Sequence, residues 1–72
     1  MNAFLKYSLD KQRKIRVMLL LDGTIVQKNV TVLSLTATHA TLKPGTGKTP
    51  VTVPLADILS CDYARGDHGE DE

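Results

Sequence analysis

Ile15-Arg16-Val17-Met18-Leu19-Leu20-Leu21 is a run of strand-forming residues that stops at Asp22-Gly23 and resumes at Thr24-Ile25-Val26. Asp-Gly between two apolar β-formers is a strong local hairpin signal, because a two-residue primed turn needs positive φ at both central positions. Alternation along the first run places Ile15, Val17, Leu19 and Leu21 on one face and Met18 and Leu20 on the other. A strand apolar on both faces needs cover on both sides, from a closed sheet, a helix or another subunit. This pattern predicts a small β domain that associates.

The size of the chain supports that expectation. Its 72 residues form one domain, and a domain this short buries only roughly 60% of its unfolded surface. Cys61 is the single cysteine, so no intrachain disulfide can add stability, and the composition points to a reducing cytoplasm. Cys61, His39 and His68 lack the spacing of a zinc site. No apolar run approaches the length of a membrane span, and residues 1–14 do not resemble a signal peptide. Self-association is therefore the expected source of extra buried area, giving a homo-oligomer with no cofactor and no membrane partner.

Residues 1–16 set Lys6, Lys11, Arg13, Lys14 and Arg16 against Asp10, whereas residues 62–72 set Asp62, Asp67, Glu70, Asp71 and Glu72 against Arg65. A basic end can meet phosphate, and an acidic end repels phosphate or shields its own basic counterpart. Asn2 is placed to cap a helix reaching about Lys11, with Phe4, Leu5 and Leu9 inward. Strands are expected over residues 14–21, 24–36, 39–43, 51–55 and 58–63. Within the second, Val30 and Val32 face one way and Leu33 and Leu35 the other, which marks a bulge or bend. Pro44, Gly45, Gly47 and Pro50 make residues 43–50 a loop. Pro54 ends a strand or lies on a sheet edge, and Ala56-Asp57 forms a tight turn capped by the Asp57 side chain. Residues 1–63 form the domain, and residues 64–72, Gly-containing and acidic, form a flexible tail.

A short helix, five strands and a tight turn before the last resemble the Sm-like barrel, an SH3-type architecture. Leu19-Leu20-Leu21-Asp22-Gly23 and Leu55-Ala56-Asp57-Ile58-Leu59-Ser60 are similar to segments of the Hfq group of bacterial RNA chaperones. The run from Leu5 to Val17, a helix and basic cluster leading into a strand, together with Pro54-Leu55-Ala56-Asp57-Ile58, is similar to the WYL domain of bacterial regulators. The resemblance spans residues 3–63 and implies a small barrel with a short N-terminal helix. Two departures limit what it implies about function. Val53, Pro54 and Leu55 stand where the Hfq-type RNA site has a Tyr-Lys-His run, and the Trp-Tyr-Leu triplet is absent.

No catalytic constellation accompanies this architecture. Gly45-Thr46-Gly47-Lys48-Thr49 is similar to the end of a P-loop, but Leu42 occupies the position of the required glycine and a strand follows where a helix is needed. Arg65-Gly66-Asp67 matches an adhesion tripeptide within the expected tail. His39 has no nucleophile or carboxylate at a useful spacing and reads as a strand-edge residue. Cys61 reads as a small core residue. The expected function is therefore a non-enzymatic interaction module. Its candidate nucleic-acid contacts, to RNA or DNA, are Lys11, Arg13, Lys14 and Arg16, with Tyr7 one helical turn before Lys11 as a stacking residue. Met18, Leu20 and Leu33 are candidates for a subunit interface or for cover by the helix. The competing expectation is a protein-binding adaptor or inhibitor that uses an exposed strand edge and has no nucleic-acid role.

Overall fold

The computed structural model describes residues 2–45 and 49–66, and everything below concerns those residues. The chain forms α1 (Asn2–Lys11), β1 (Ile15–Leu21), β2 (Thr24–Leu35), β3 (His39–Pro44), β4 (Val51–Pro54), a single 3-10 turn η1 (Leu55–Asp57) and β5 (Ile58–Tyr63). All strand pairs are antiparallel, in the order β4-β3-β2-β1-β5. The architecture is thus mostly β with one short N-terminal helix. The helix already includes Asn2, one residue earlier than a cap at that position would allow.

The hairpin forms as its residues dictate. Asp22 and Gly23 have φ of 53° and 78°, the positive pair a type I′ turn requires. The register then runs unbroken from Leu21 opposite Thr24 to Ile15 opposite Val30.

β4 and β5 are the two edge strands, yet only η1 separates them in sequence. Four Cα steps span at most ~14 Å, whereas a flat five-stranded sheet is ~19 Å across. The sheet must therefore curl. β4 and β5 do not pair, so the sheet stays open along that seam. Two irregularities supply curvature, one between Met18 and Leu19 against β5 and one between Val32 and Ser34 against β3.

The second irregularity confirms the phase slip in β2 and corrects its sense. Leu33 and Leu35 do not share a face. The bulge leaves Leu33 exposed and returns Leu35 to the core side, in step with Val30 and Val32.

The concave side holds Leu5, Ile15, Val17, Leu19, Val30, Val32, Ala40, Leu42, Val53 and Ile58 as one buried cluster. Each large side chain there is worth about 1.5–3 kcal/mol of burial. α1 closes one end of this core with Leu5 fully buried and Phe4, Tyr7 and Leu9 packed around it. Phe4 and Tyr7 both meet Tyr63 edge to face, at 4.8 and 5.3 Å between centroids.

β1 stops at Ile15, so β2 beyond Val30 lacks a strand neighbour on that side. The end of α1 replaces it. Ser8, buried to 0% exposure, accepts a hydrogen bond from the Val32 amide at 2.9 Å and donates one to the Arg13 carbonyl at 2.6 Å. The Gln12 side chain donates to the Leu9 carbonyl at 2.8 Å and reaches the Val32 carbonyl at 3.4 Å. Gln12 itself sits at φ 56°, the left-handed conformation that commonly ends a helix.

The tight turn before β5 is also corrected. η1 has no side-chain cap from Asp57 or any other residue. It is closed by the Ile58 amide donating to the Leu55 carbonyl and anchored by the Leu55 amide donating to the Thr38 carbonyl at 2.8 Å. Lys48 lies outside the described residues, as does the expected tail from residue 67 onward.

Candidate interaction surfaces

The basic candidates divide between two places. Lys11, Arg13 and Lys14 are exposed and lie within four consecutive residues, at the end of α1 and along its connection to β1. Arg16 points to the convex face of the sheet, where it pairs with Asp62 on β5 at 3.5 Å. Both partners are well exposed, so this pair contributes less than about 1 kcal/mol, but it neutralises the charge Arg16 would offer a phosphate. Tyr7 is half-buried with its ring against Tyr63. Tyr7 stands four residues before Lys11 on α1, on the same side of the helix. The structure thus keeps Lys11, Arg13 and Lys14 together and sends Arg16 to the convex face.

The convex face carries a surface that sequence reading captured only in part. Cross-strand register places Leu20 opposite Ile25 and Met18 opposite both Gln27 and Ser60. Leu20 is 37% exposed, Ile25 57% and Leu59, at the β5 irregularity, 46%. Met18 is half-buried among them. One row further on come Asn29, Arg16 and Asp62. This end of the convex face therefore combines apolar side chains with neutral amides and hydroxyls, and its one cation is matched by its one anion.

Leu33 does not join this group. It is 39% exposed at the β2 bulge, at the opposite end of the β1–β2 ladder from Leu20. Leu20 and Leu33 are both exposed rather than fully covered. Ile25 and Leu59 were missed because each looks unremarkable alone. Only the register that sets Ile25 against Leu20, and the irregularity that turns Leu59 outward, brings them together.

Other polar groups are occupied locally. Ser34, Thr41 and Thr52 form a hydroxyl row across β2, β3 and β4, at 3.2 and 2.9 Å. Cross-strand contacts of this kind hold strands together. His39 starts β3 with Nδ1 at 2.8 Å from the Thr38 hydroxyl. Cys61 is half-buried against the core, and burial pushes its thiol above the ordinary value. Among the described residues no group of His, Cys, Asp or Glu could hold a metal ion, and no helix is long and apolar enough to cross a membrane.

The edges of β4 and β5 complete the inventory of surfaces. Each presents one row of backbone groups that no other strand among the described residues pairs. β4 is four residues long and ends on Pro54, whereas β5 has six residues and no proline.

The chain matches no protein-family model, no curated protein and no solved structure.

Proposed function

We propose that this chain is a non-enzymatic, self-assembling interaction module whose curled sheet is a Sm-like, SH3-type barrel open at the β4–β5 seam. The observation that carries this reading is the apolar group Met18, Leu20, Ile25 and Leu59 on the convex face. A small domain with a marginal core gains most by covering such a group. A second copy brings the same apolar and charge-balanced surface, so two copies meet there without like-charge repulsion. Lys11, Arg13 and Lys14, gathered at the α1–β1 connection, would contact phosphate of RNA or DNA in the assembled form.

A protein-binding adaptor is the second reading, and the unpaired β5 edge favours it. An extended segment of a partner can add to such an edge through main-chain hydrogen bonds.

The solution mass of the wild type and two variants separates these readings. The wild type is expected to have the mass of more than one chain. Leu20→Asp, with a retained β spectrum, is expected to return it to one chain. Lys14→Gln, in the α1–β1 connection, is expected to leave the assembly intact if the convex face holds it. A monomeric wild type in which Leu20→Asp changes neither mass nor stability would overturn self-assembly through this face and leave the adaptor reading. Binding of an RNA or DNA oligonucleotide that weakens steeply with salt would support the phosphate contact.

A further inference from the structure

β3 ends at Pro44, opposite Val30, so residues 24–29 of β2 pair with β1 on one side and with no described strand on the other. This is a third sheet edge, on the arm that the β1–β2 hairpin forms beyond β3. Gly45, at φ 62°, breaks the extended run that would have covered it.

The register fixes which backbone groups this edge offers. Leu21 and Thr24 flank the two-residue turn and are a hydrogen-bonded pair. Bonding alternates along an antiparallel ladder. Val26, Lys28 and Val30 therefore bond toward β1, while Ile25, Gln27 and Asn29 direct their N–H and C=O groups outward. Pro44 fits this pattern: it has no N–H, and it stands opposite Val30, where none is needed. Ile25, Gln27 and Asn29 are all exposed, Ile25 to 57%.

The side chains select what can pair there. Val26 and Lys28 lie on the concave side, in step with Val30. Lys28 stands opposite the fully buried Val17, yet it is itself exposed and makes no ion pair with any described residue. A strand laid on this edge meets Val26 and Lys28 as non-hydrogen-bonded pairs, with Cα atoms ~4.5 Å apart, where facing side chains come closest. Lysine on an edge discourages indiscriminate pairing, whereas an opposite charge directly across favours it. A second copy paired antiparallel about Gln27 would set Val26 against Lys28 and bring the two ammonium groups together as diagonal neighbours. A carboxylate opposite Lys28 meets no such cost.

We infer that residues 25–29 of β2 receive an extended segment of a partner protein, with an acidic residue opposite Lys28 and apolar residues opposite Val26 and Ile25. The segment continues the line of β3 and so runs antiparallel to β2. Read in its own direction, its pattern is any–acidic–any–apolar–apolar. This site is separate from the β5 edge and does not depend on self-assembly through the convex face.

The probe is the acetylated and amidated peptide Thr-Glu-Thr-Val-Ile, titrated to millimolar concentration into the isotope-labelled full chain. The amides of Ile25, Gln27 and Asn29 are expected to move downfield as they gain acceptors, and those of Val26 and Lys28, already bonded to β1, to move less. Replacing the glutamate of the probe by glutamine should weaken binding by about 2–5-fold, the range of a cross-strand charge pair. Lys28→Glu should reverse the preference, favouring a probe with lysine in place of glutamate. Should that variant fail to fold, Lys28→Gln takes its place and should bind the glutamate and glutamine probes equally.

No shift at the three outward amides, or the largest shifts on β5, would overturn the site. Equal binding of the two probes by wild type would overturn the acidic partner. Shifts at the same amides that grow with protein concentration alone would give the edge to a second copy, and that too would overturn the inference.

Discussion

Changing Ser8 to Ala removes one oxygen atom that joins three parts of the fold. Ser8 Oγ accepts from the Val32 amide at 2.9 Å and donates to the Arg13 carbonyl at 2.6 Å. Val32 is itself fully buried, so its amide has no route to water in the folded state. A buried amide left without a partner costs about 1–3 kcal/mol, and a net hydrogen bond is worth about 1 kcal/mol. The Arg13 carbonyl lies in the exposed connection, where water replaces most of what is lost. Alanine is the better helix former by about 0.5 kcal/mol, which offsets part of the cost.

The expected loss is therefore about 2 kcal/mol. For a domain of this size the melting temperature should fall by about 8–16 °C. Urea denaturation followed by circular dichroism measures it, with an unchanged m-value as the sign that the folded state remains compact. Ser34→Ala is the control. Its hydroxyl sits in an exposed cross-strand contact, and its removal should cost less than about 0.5 kcal/mol. A Ser8→Ala loss no larger than that of Ser34→Ala would refute the claim that the end of α1 substitutes for a strand beside β2.

Gly23→Val places a β-branched residue at φ 78° and should cost about 1–3 kcal/mol from backbone strain, since the position is otherwise open space. An unchanged melting temperature would contradict the primed turn. Asp62→Asn breaks the exposed pair with Arg16 and should cost less than about 1 kcal/mol at low salt and nothing measurable at high salt, as read from paired melting curves. Burial raises the Cys61 thiol, so the folded state holds that proton more tightly than the unfolded chain. The stability it confers is complete below the unfolded thiol's pKa and is lost as pH rises through the folded value. Alkaline melts should therefore show wild type losing more stability than Cys61→Ala over that range.

The hairpin was readable because Asp-Gly and the flanking alternation act locally, within residues that touch one another. The phase slip in β2 was readable as a slip but not in its sense. Whether Leu33 or Leu35 turns outward depends on where β3 resumes pairing, which no local pattern encodes. The convex apolar surface was half visible. Met18 and Leu20 declared themselves by sitting out of phase on β1, whereas Ile25 and Leu59 needed the register of two other strands. Arg16 looked like a member of one basic cluster with Lys11, Arg13 and Lys14 because these residues are close in sequence. The switch from helical to strand geometry at Ile15 sends Arg16 to the convex face and leaves Tyr7 packed against Tyr63. Ser8 drew no notice, since a serine in a helix pattern says nothing of a strand 24 residues away.

The central claim is that another copy covers the convex face, and isotope-filtered NMR on a mixture of labelled and unlabelled chains tests it most directly. Intermolecular contacts among the methyl groups of Leu20, Ile25 and Leu59 are the predicted result. A sample at assembling concentration that shows only intramolecular contacts from these methyls would contradict the account.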